Sequence, residues 1–245
     1  MHAQVRFPQR DADVPPYLVQ TYWWAYVHPR AVRLFERQWL VNLILWGNFN
    51  RLRDAAIAAL GGELHGRTLQ VSCVYGDLTG RIAARLERGA QLHVVDVLRI
   101  QLENLARKLP AGLLRGRGPD GREEPAVELF QGDSAALEFR SGSYERALVF
   151  FLLHEQPDEV RRATLAEALR VVKPGGRVVI VDYHRPHRLN PVAWPMRGVF
   201  RALEPFALDL WRTDMASLLP PGSRVAAIEK RTYFGGLYQL VSITV

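Results

Sequence analysis

Apolar positions recur at helical spacing from residue 31 to residue 60, through Val32, Phe35, Trp39, Leu43 and Trp46, and Gly61-Gly62 ends the run. Upstream, residues 1–30 pass from polar to proline-bearing to aromatic. From residue 61 strand-like and helix-like periods alternate. TLQVSCV (68–74) predicts a strand, and TGRIAARLERG (79–89) a helix with Thr79 as its N-cap. QLHVVDV (91–97) predicts the next strand, followed by a helix through Lys108. Residues 110–125, rich in Gly, Pro and charge, predict a loop. AVELFQGD (126–133) and YERALVFFLLH (144–154) predict two more strands, the second apolar on both faces as a central parallel strand must be. A helix from Pro157 to Val171, the turn KPGG and the strand RVVIVDYH (177–184) follow. Residues 190–219 are proline-interrupted, aromatic and helical in tendency, and residues 224–245 predict two strands joined at Gly235-Gly236. The alternation predicts an α/β fold with a doubly wound, mostly parallel seven-stranded sheet and an antiparallel last strand. It also divides the chain. Residues 1–60 are expected to form an aromatic, helical extension covering the active site, and 61–245 the main domain, with a hydrophobic insert at about 188–219.

Composition alters this picture mainly through charge. The 245 residues are 48% hydrophobic and 23% charged, an ordinary globular balance. The net charge of +7 favours anionic partners, a nucleic acid or an acidic membrane face. The basic residues are scattered and no base-stacking motif is visible, so an anionic membrane surface is expected and nucleic acid is not. Cys73, the one cysteine, lies in a predicted strand and has no partner within the chain, which fits a reducing cytoplasm. The opening MHAQVRFPQRD is polar, so no signal peptide is expected. The longest apolar runs, such as WLVNLILWGNF (39–49), fall short of the roughly 20 residues that cross a bilayer. A soluble or membrane-surface protein is expected.

Asp96 ends the second predicted strand, Gly132-Asp133-Ser134 follow the third, and Lys173-Pro174-Gly175-Gly176 precede the fifth. In this order and spacing the chain resembles the class I S-adenosylmethionine (SAM) methyltransferases over residues 60–245. The resemblance implies that Asp96 accepts hydrogen bonds from the two ribose hydroxyls. It also implies that Asp133, with Ser134 beside it, reaches the adenine amino group. The KPGG turn ends a helix tightly and carries no chemistry. The first loop departs from the family's pattern of an acidic residue followed by glycines at alternate positions. Gln70 holds the acid's place, Ser72 and Val74 hold those of the first two glycines, and only Gly76 remains. One reading is a degenerate domain that no longer binds SAM; against it, the ribose and adenine positions are intact.

Three further stretches, YWWAYVHPRAVRLFERQWLVNLILWGNF (22–49), VYGDLT (74–79) and DYHRPH (182–187), closely resemble the rhodoquinone-biosynthesis family RquA. This likeness covers nearly the whole chain. It implies that SAM serves as an amino donor, replacing a methoxy group of ubiquinone by an amine, with manganese (Mn2+) required. SAM's nitrogen must then be a neutral amine when it attacks, and a nearby carboxylate would oppose its deprotonation. Gln70 would hydrogen-bond that nitrogen without stabilising its charge. Addition to a quinone also needs an electrophile, a role that a divalent metal fills by polarising a carbonyl. Candidate ligands are His154-Glu155 after the fourth strand and Asp182, His184 and His187 after the fifth, with Glu155, His184 and His187 as the expected metal set. The expected catalytic residues are Gln70, Tyr75, Asp77, His184 and His187. The expected cofactor pocket is Gln70, Ser72, Val74, Tyr75, Gly76, Thr79, Asp96, Val97, Gly132, Asp133 and Ser134.

The isoprenoid tail of ubiquinone lives in the membrane. Pro191–Trp211 carries Trp194, Met196, Phe200, Leu203, Phe206 and Trp211 among Arg197 and Arg201, a composition that suits an interfacial helix or lid. Tyr22, Trp23, Trp24 and Tyr26 would form the other wall of the quinone entrance. Tyr22, Trp24, Tyr26, His154 and Trp194 are therefore the expected substrate contacts. Both segments would otherwise cap the sheet as core helices. The expected location is cytoplasmic, peripheral to the inner membrane. Two alternatives stand beside amino transfer: ordinary methyl transfer to a quinone or another hydrophobic acceptor, and a non-catalytic SAM-fold binding module.

Overall fold

The computed structural model describes residues 14–22, 38–115 and 125–245. Its strands are β1 (Arg67–Val71), β2 (Gln91–Asp96), β3 (Val127–Gln131), β4 (Tyr144–Phe150), β5 (Val172–Tyr183), β6 (Ala227–Tyr233) and β7 (Tyr238–Thr244). They form one sheet in the order β3-β2-β1-β4-β5-β7-β6. Only β7 runs antiparallel to its neighbours β5 and β6. The chain reverses its winding between β1 and β4, so the carboxyl ends of these strands flank the crevice where such sheets bind ligands.

The helices are α1 (Pro16–Tyr22), α2 (Gln38–Ile44), α3 (Phe49–Leu60), α4 (Leu78–Ala83), α5 (Arg99–Lys108), α6 (Ala111–Leu114), α7 (Asp158–Val171), α8 (Ala193–Leu203) and α9 (Ala207–Arg212). Alternation along β5 sends Val179 and Val181 to one face of the sheet and Val178 and Ile180 to the other, all fully buried. The first face is covered by α3, through Phe49, Leu52, Ala56 and Ile57, and by α4 and α5. The second is covered by α7, through Leu165, Ala168 and Leu169, and by Leu210 of α9. At the sheet edge, β6 is exposed and carries Glu229, Lys230 and Arg231, charges that discourage pairing with another strand.

Five local expectations are revised. The predicted helix over 31–60 is broken at Trp46 and Gly47, whose φ angles are 53° and 76°. Two asparagines satisfy the backbone there: Asn42 Oδ1 accepts from Phe49 N, and Asn48 Nδ2 donates to Leu45 O and Trp46 O. Residues 31–37 of that prediction lie outside the described residues. The strand predicted to reach residue 74 stops at Val71, because Ser72 turns left-handed with φ 74°. Thr79 is not an N-cap; Asp77 holds that position and Thr79 lies inside α4. The strand predicted over 144–154 ends at Phe150, where Phe151 (φ 52°) starts a 3-10 turn over Leu153–Glu155. KPGG is absorbed into β5 as an irregularity: Tyr144 pairs with Val172, but Arg146 already pairs with Arg177. Gly176 is required there, since a Cβ would lie 2.6 Å from Glu145 O.

Candidate active site

A cavity of about 750 Å3 lies over the carboxyl ends of β1, β2 and β4. Its polar half is built from Ser72–Tyr75 after β1, Asp96–Leu98 after β2, Gly132–Ser134 after β3 and His154–Gln156 after β4. Its apolar half is built from α1, α2 and α8, over a floor of Phe49, Phe150 and Phe151. The sheet topology explains the polar half, because four loops leave the same edge of four neighbouring parallel strands.

Asp96 organises the first loop. Its Oδ2 accepts Cys73 N at 2.7 Å and Ser72 Oγ at 3.3 Å, and its Oδ1 accepts Leu98 N at 2.8 Å. Burial raises this carboxyl's pKa, and the backbone donors of Cys73 and Leu98 oppose the rise. The carboxylate also lines the cavity and keeps lone pairs for a ribose hydroxyl. Ser72 adopts the left-handed conformation that glycine takes without strain. Val74, Tyr75, Val97 and Gly132 lie on the cavity wall, Tyr75 with its hydroxyl accepting from Gln101 Nε2 at 2.9 Å. Asp133 Oδ1 accepts Ala135 N at 2.9 Å, and Ser134 Oγ accepts Gln156 Nε2 at 3.0 Å. Gln156 is 1% exposed, and its Oε1 has no hydrogen-bond partner among the described residues. A buried orphan acceptor beside Asp133 and Ser134 fits a ligand that brings an amino donor, as the adenine of SAM does.

Several expected site residues stand elsewhere. Gln70 is fully buried beneath the loop: its Nε2 donates to Ser72 O and its Oε1 accepts Thr79 Oγ1, both at 3.0 Å. Neither Gln70 nor Thr79 is on the cavity wall. Asp77 is also off the wall, paired with Arg53 and Arg81. Burial raises the Asp77 carboxyl, but the two guanidiniums outweigh it and hold the pKa below the ordinary value. Gly76 (φ 87°) packs against the Phe49 ring, 3.0 Å from where a Cβ would stand. Trp194 is 80% exposed and does not line the cavity. Trp24 and Tyr26, and the side chain of Tyr22, lie outside the described residues.

The expected manganese set does not assemble. Glu155 lines the cavity, whereas His184 and His187 face the turn between β6 and β7. His184 Nδ1 donates to Gly236 O at 2.8 Å, and His187 N donates to Gly235 O at 2.9 Å. Among the described residues no group of three His, Cys, Asp or Glu side chains could hold a metal ion. The described residues therefore do not bring together the set expected for manganese.

Among the described residues His154 is the histidine that reaches the cavity. Its Nδ1 donates to Asp182 Oδ1 at 2.9 Å, and its ring packs edge-on against Tyr183. Its Nε2 lies 3.7 Å from Glu155 Oε1 and 4.0 Å from Glu204 Oε2, beyond hydrogen-bond reach. Burial opposes a charge on the ring, but the carboxylates of Asp182, Glu204 and Glu155 outweigh it and lift the pKa to about 9. Sequence reasoning passed over Gln101, Gln156 and Glu204. Glu204 alone left a signal, as an acid closing an otherwise apolar and basic segment; the two glutamines left none.

Residues 68–176 match the methyltransferase-domain family. An uncharacterized methyltransferase of Synechocystis sp. is 26% identical over 89% of this chain and 92% of its own length. A 2-phytyl-1,4-naphtoquinone methyltransferase of Trichormus variabilis is 24% identical over 74% of this chain and 68% of its own. The N-methyltransferase NodS from Bradyrhizobium japonicum superposes with a TM-score of 0.54 at 11% identity, covering 80% of this chain and 97% of that one. The fold is that of the class I SAM-dependent methyltransferases.

Proposed function

We propose that this protein is a SAM-dependent methyltransferase whose acceptor is a quinone, in its reduced form, with a long apolar tail. The observation that carries this reading is the two-halved cavity, polar at the strand ends and apolar toward α2 and α8. When bound, SAM supplies a methyl group activated by its sulfonium. Asp96 would accept the ribose hydroxyls, and Asp133, Ser134 and Gln156 would hold the adenine. The apolar half would take the quinone ring and the first part of its tail. The likeness to a naphtoquinone methyltransferase supports a quinone as acceptor.

A second reading, conversion of ubiquinone to rhodoquinone with SAM as amino donor, is favoured by one observation. The strand-end position that carries an acid in ordinary methyltransferases holds the neutral Gln70. The likeness to the RquA family rests on the stretches around it. The expected donor set for manganese does not converge among the described residues.

Either reaction draws its quinone from a bilayer. Leu43, Ile44, Trp46, Val199 and Leu203 line the cavity and are also 42% to 65% exposed, so they ring its mouth with apolar surface. Trp46 Nε1 donates to Met196 Sδ at 3.1 Å, joining the two lips. Arg197 and Arg201 on α8 suit an anionic lipid surface. Among the described residues no helix is long and apolar enough to cross a membrane, and the contact proposed is a peripheral one. Two measurements test the function: calorimetric titration with SAM, then turnover of short-tail quinols by purified protein. Absence of SAM binding would leave only a non-catalytic module.

A further inference from the structure

We infer that His154 is a catalytic residue, held by Asp182, whose Nε2–H donates a hydrogen bond to a ring oxygen of the bound quinone. The inference rests on the quinone reading of the cavity. His154 stands where the two halves meet, between Glu155 and Gln156 on the polar side and Phe151 and Tyr183 on the apolar side. A ring seated in the apolar half with its reacting carbon toward SAM presents an oxygen to this boundary.

The support of His154 is built into the sheet. Asp182 is fully buried on β5, and its carboxylate accepts the backbone N–H groups of Leu153 and Tyr183 as well as the His154 ring. Its position therefore does not depend on His154, and it fixes the imidazole with Nδ1 protonated and Nε2 on the other side of the ring. The charged and titratable groups around the ring are Asp182 and Tyr183 of β5, Glu155 of its own turn and Glu204 just past α8. Three carboxylates stand around the ring, and each favours a proton on it. With Nδ1 committed to Asp182, a ring carrying both protons offers its Nε2–H as a charge-assisted donor. The oxygen it would hold carries negative charge in both candidate reactions: in the phenolate of a quinol accepting a methyl group, and in the adduct formed when an amine adds to a quinone.

The test compares wild type, His154→Ala and His154→Gln, with thermal melts to confirm folding. Three readouts are needed: SAM affinity by calorimetry, affinity for a short-tail ubiquinone by tryptophan quenching, and kcat. The expected result is unchanged SAM affinity, weaker quinone binding, and a loss in kcat on the order of 100-fold for His154→Ala, as for other single donors to a developing oxyanion. His154→Gln, which keeps an N–H of similar reach, should recover part of both. Unchanged quinone affinity and kcat in His154→Ala would overturn the inference. So would loss of SAM binding by a folded variant, which would place His154 in the cofactor pocket. If wild type binds SAM but turns over no quinol, the functional reading fails by itself; the quinone-affinity comparison then still decides the role of His154.

Discussion

Thr79 Oγ1 donates to Gln70 Oε1 at 3.0 Å, and both side chains are buried beneath the loop that follows β1. Since Gln70 Nε2 donates onward to Ser72 O, the amide braces the loop to α4 in two directions. A carboxylate has no donor for Ser72 O. Gln70→Glu is therefore expected to set a buried carboxylate against a carbonyl oxygen and to lower stability by about 1–3 kcal/mol or more. Thr79→Val should cost a similar amount by leaving Gln70 Oε1 unpaired. Thermal melts with and without SAM check both. A Gln70→Glu variant that melts like wild type and binds SAM more tightly would instead place residue 70 at the cofactor's ammonium.

Ser72 occupies a glycine's conformation without being glycine. The left-handed region costs an L-residue roughly 1–2 kcal/mol. The compensating Ser72 Oγ bond to Asp96 is long, at 3.3 Å. Ser72→Gly is accordingly expected to leave stability unchanged or raise it by up to about 1 kcal/mol. The shift of the urea midpoint measures this. A clear loss of stability would mean that the long hydroxyl contact outweighs the backbone strain.

Two buried histidines should shape the pH dependence of stability in opposite senses. Burial, with Arg67 nearby, pulls the His93 pKa down to about 4. Between pH 6.5 and 4 the unfolded state therefore binds the proton that the folded ring refuses, and stability falls as pH drops. The full loss from this group is about 3 kcal/mol. His154 is raised to about 9, so its contribution is complete below 6.5 and is lost as pH rises toward 9. Melts across this range should show His93→Gln flattening the acid limb and His154→Gln flattening the alkaline one. Unchanged limbs in both variants would contradict these assignments.

Membrane contact is expected to be partly electrostatic, given the net charge of +7 and the arginines beside the apolar mouth. Binding to anionic vesicles should weaken with salt. Equal binding to neutral and anionic vesicles at every salt concentration would remove the charge from the account.

Much of the fold was legible because central parallel strands need apolar residues on both faces, and β4 and β5 carry them. The closing hairpin was legible from Gly235-Gly236, both with positive φ. Asp96, Gly132, Asp133 and Ser134 were legible as strand-end residues whose places in the sheet fix where they project. Features set by tertiary packing were not. The break after α2 depends on Asn42 and Asn48 reaching across it, which helical spacing does not reveal. His184 and His187 have the residue type of a ligand pair, but the β6–β7 turn claims the first through Gly236 O and packs against the second. Which of three histidines faced the cavity was decided by Asp182, a contact between β5 and the turn after β4.

The atom that SAM surrenders decides between the two reactions. Purified protein would be given SAM carrying heavy carbon in its methyl group and heavy nitrogen in its amine. Two acceptors would be offered, a short-tail quinol with a free ring position and a short-tail ubiquinone, and the products read by mass spectrometry. Heavy methyl is expected in the quinol product, lost together with SAM binding in Asp96→Ala. Heavy nitrogen in a product of ubiquinone would replace methyl transfer by amino transfer in the same cavity. Neither label in any quinone, with SAM bound and the protein folded, would overturn the quinone as acceptor.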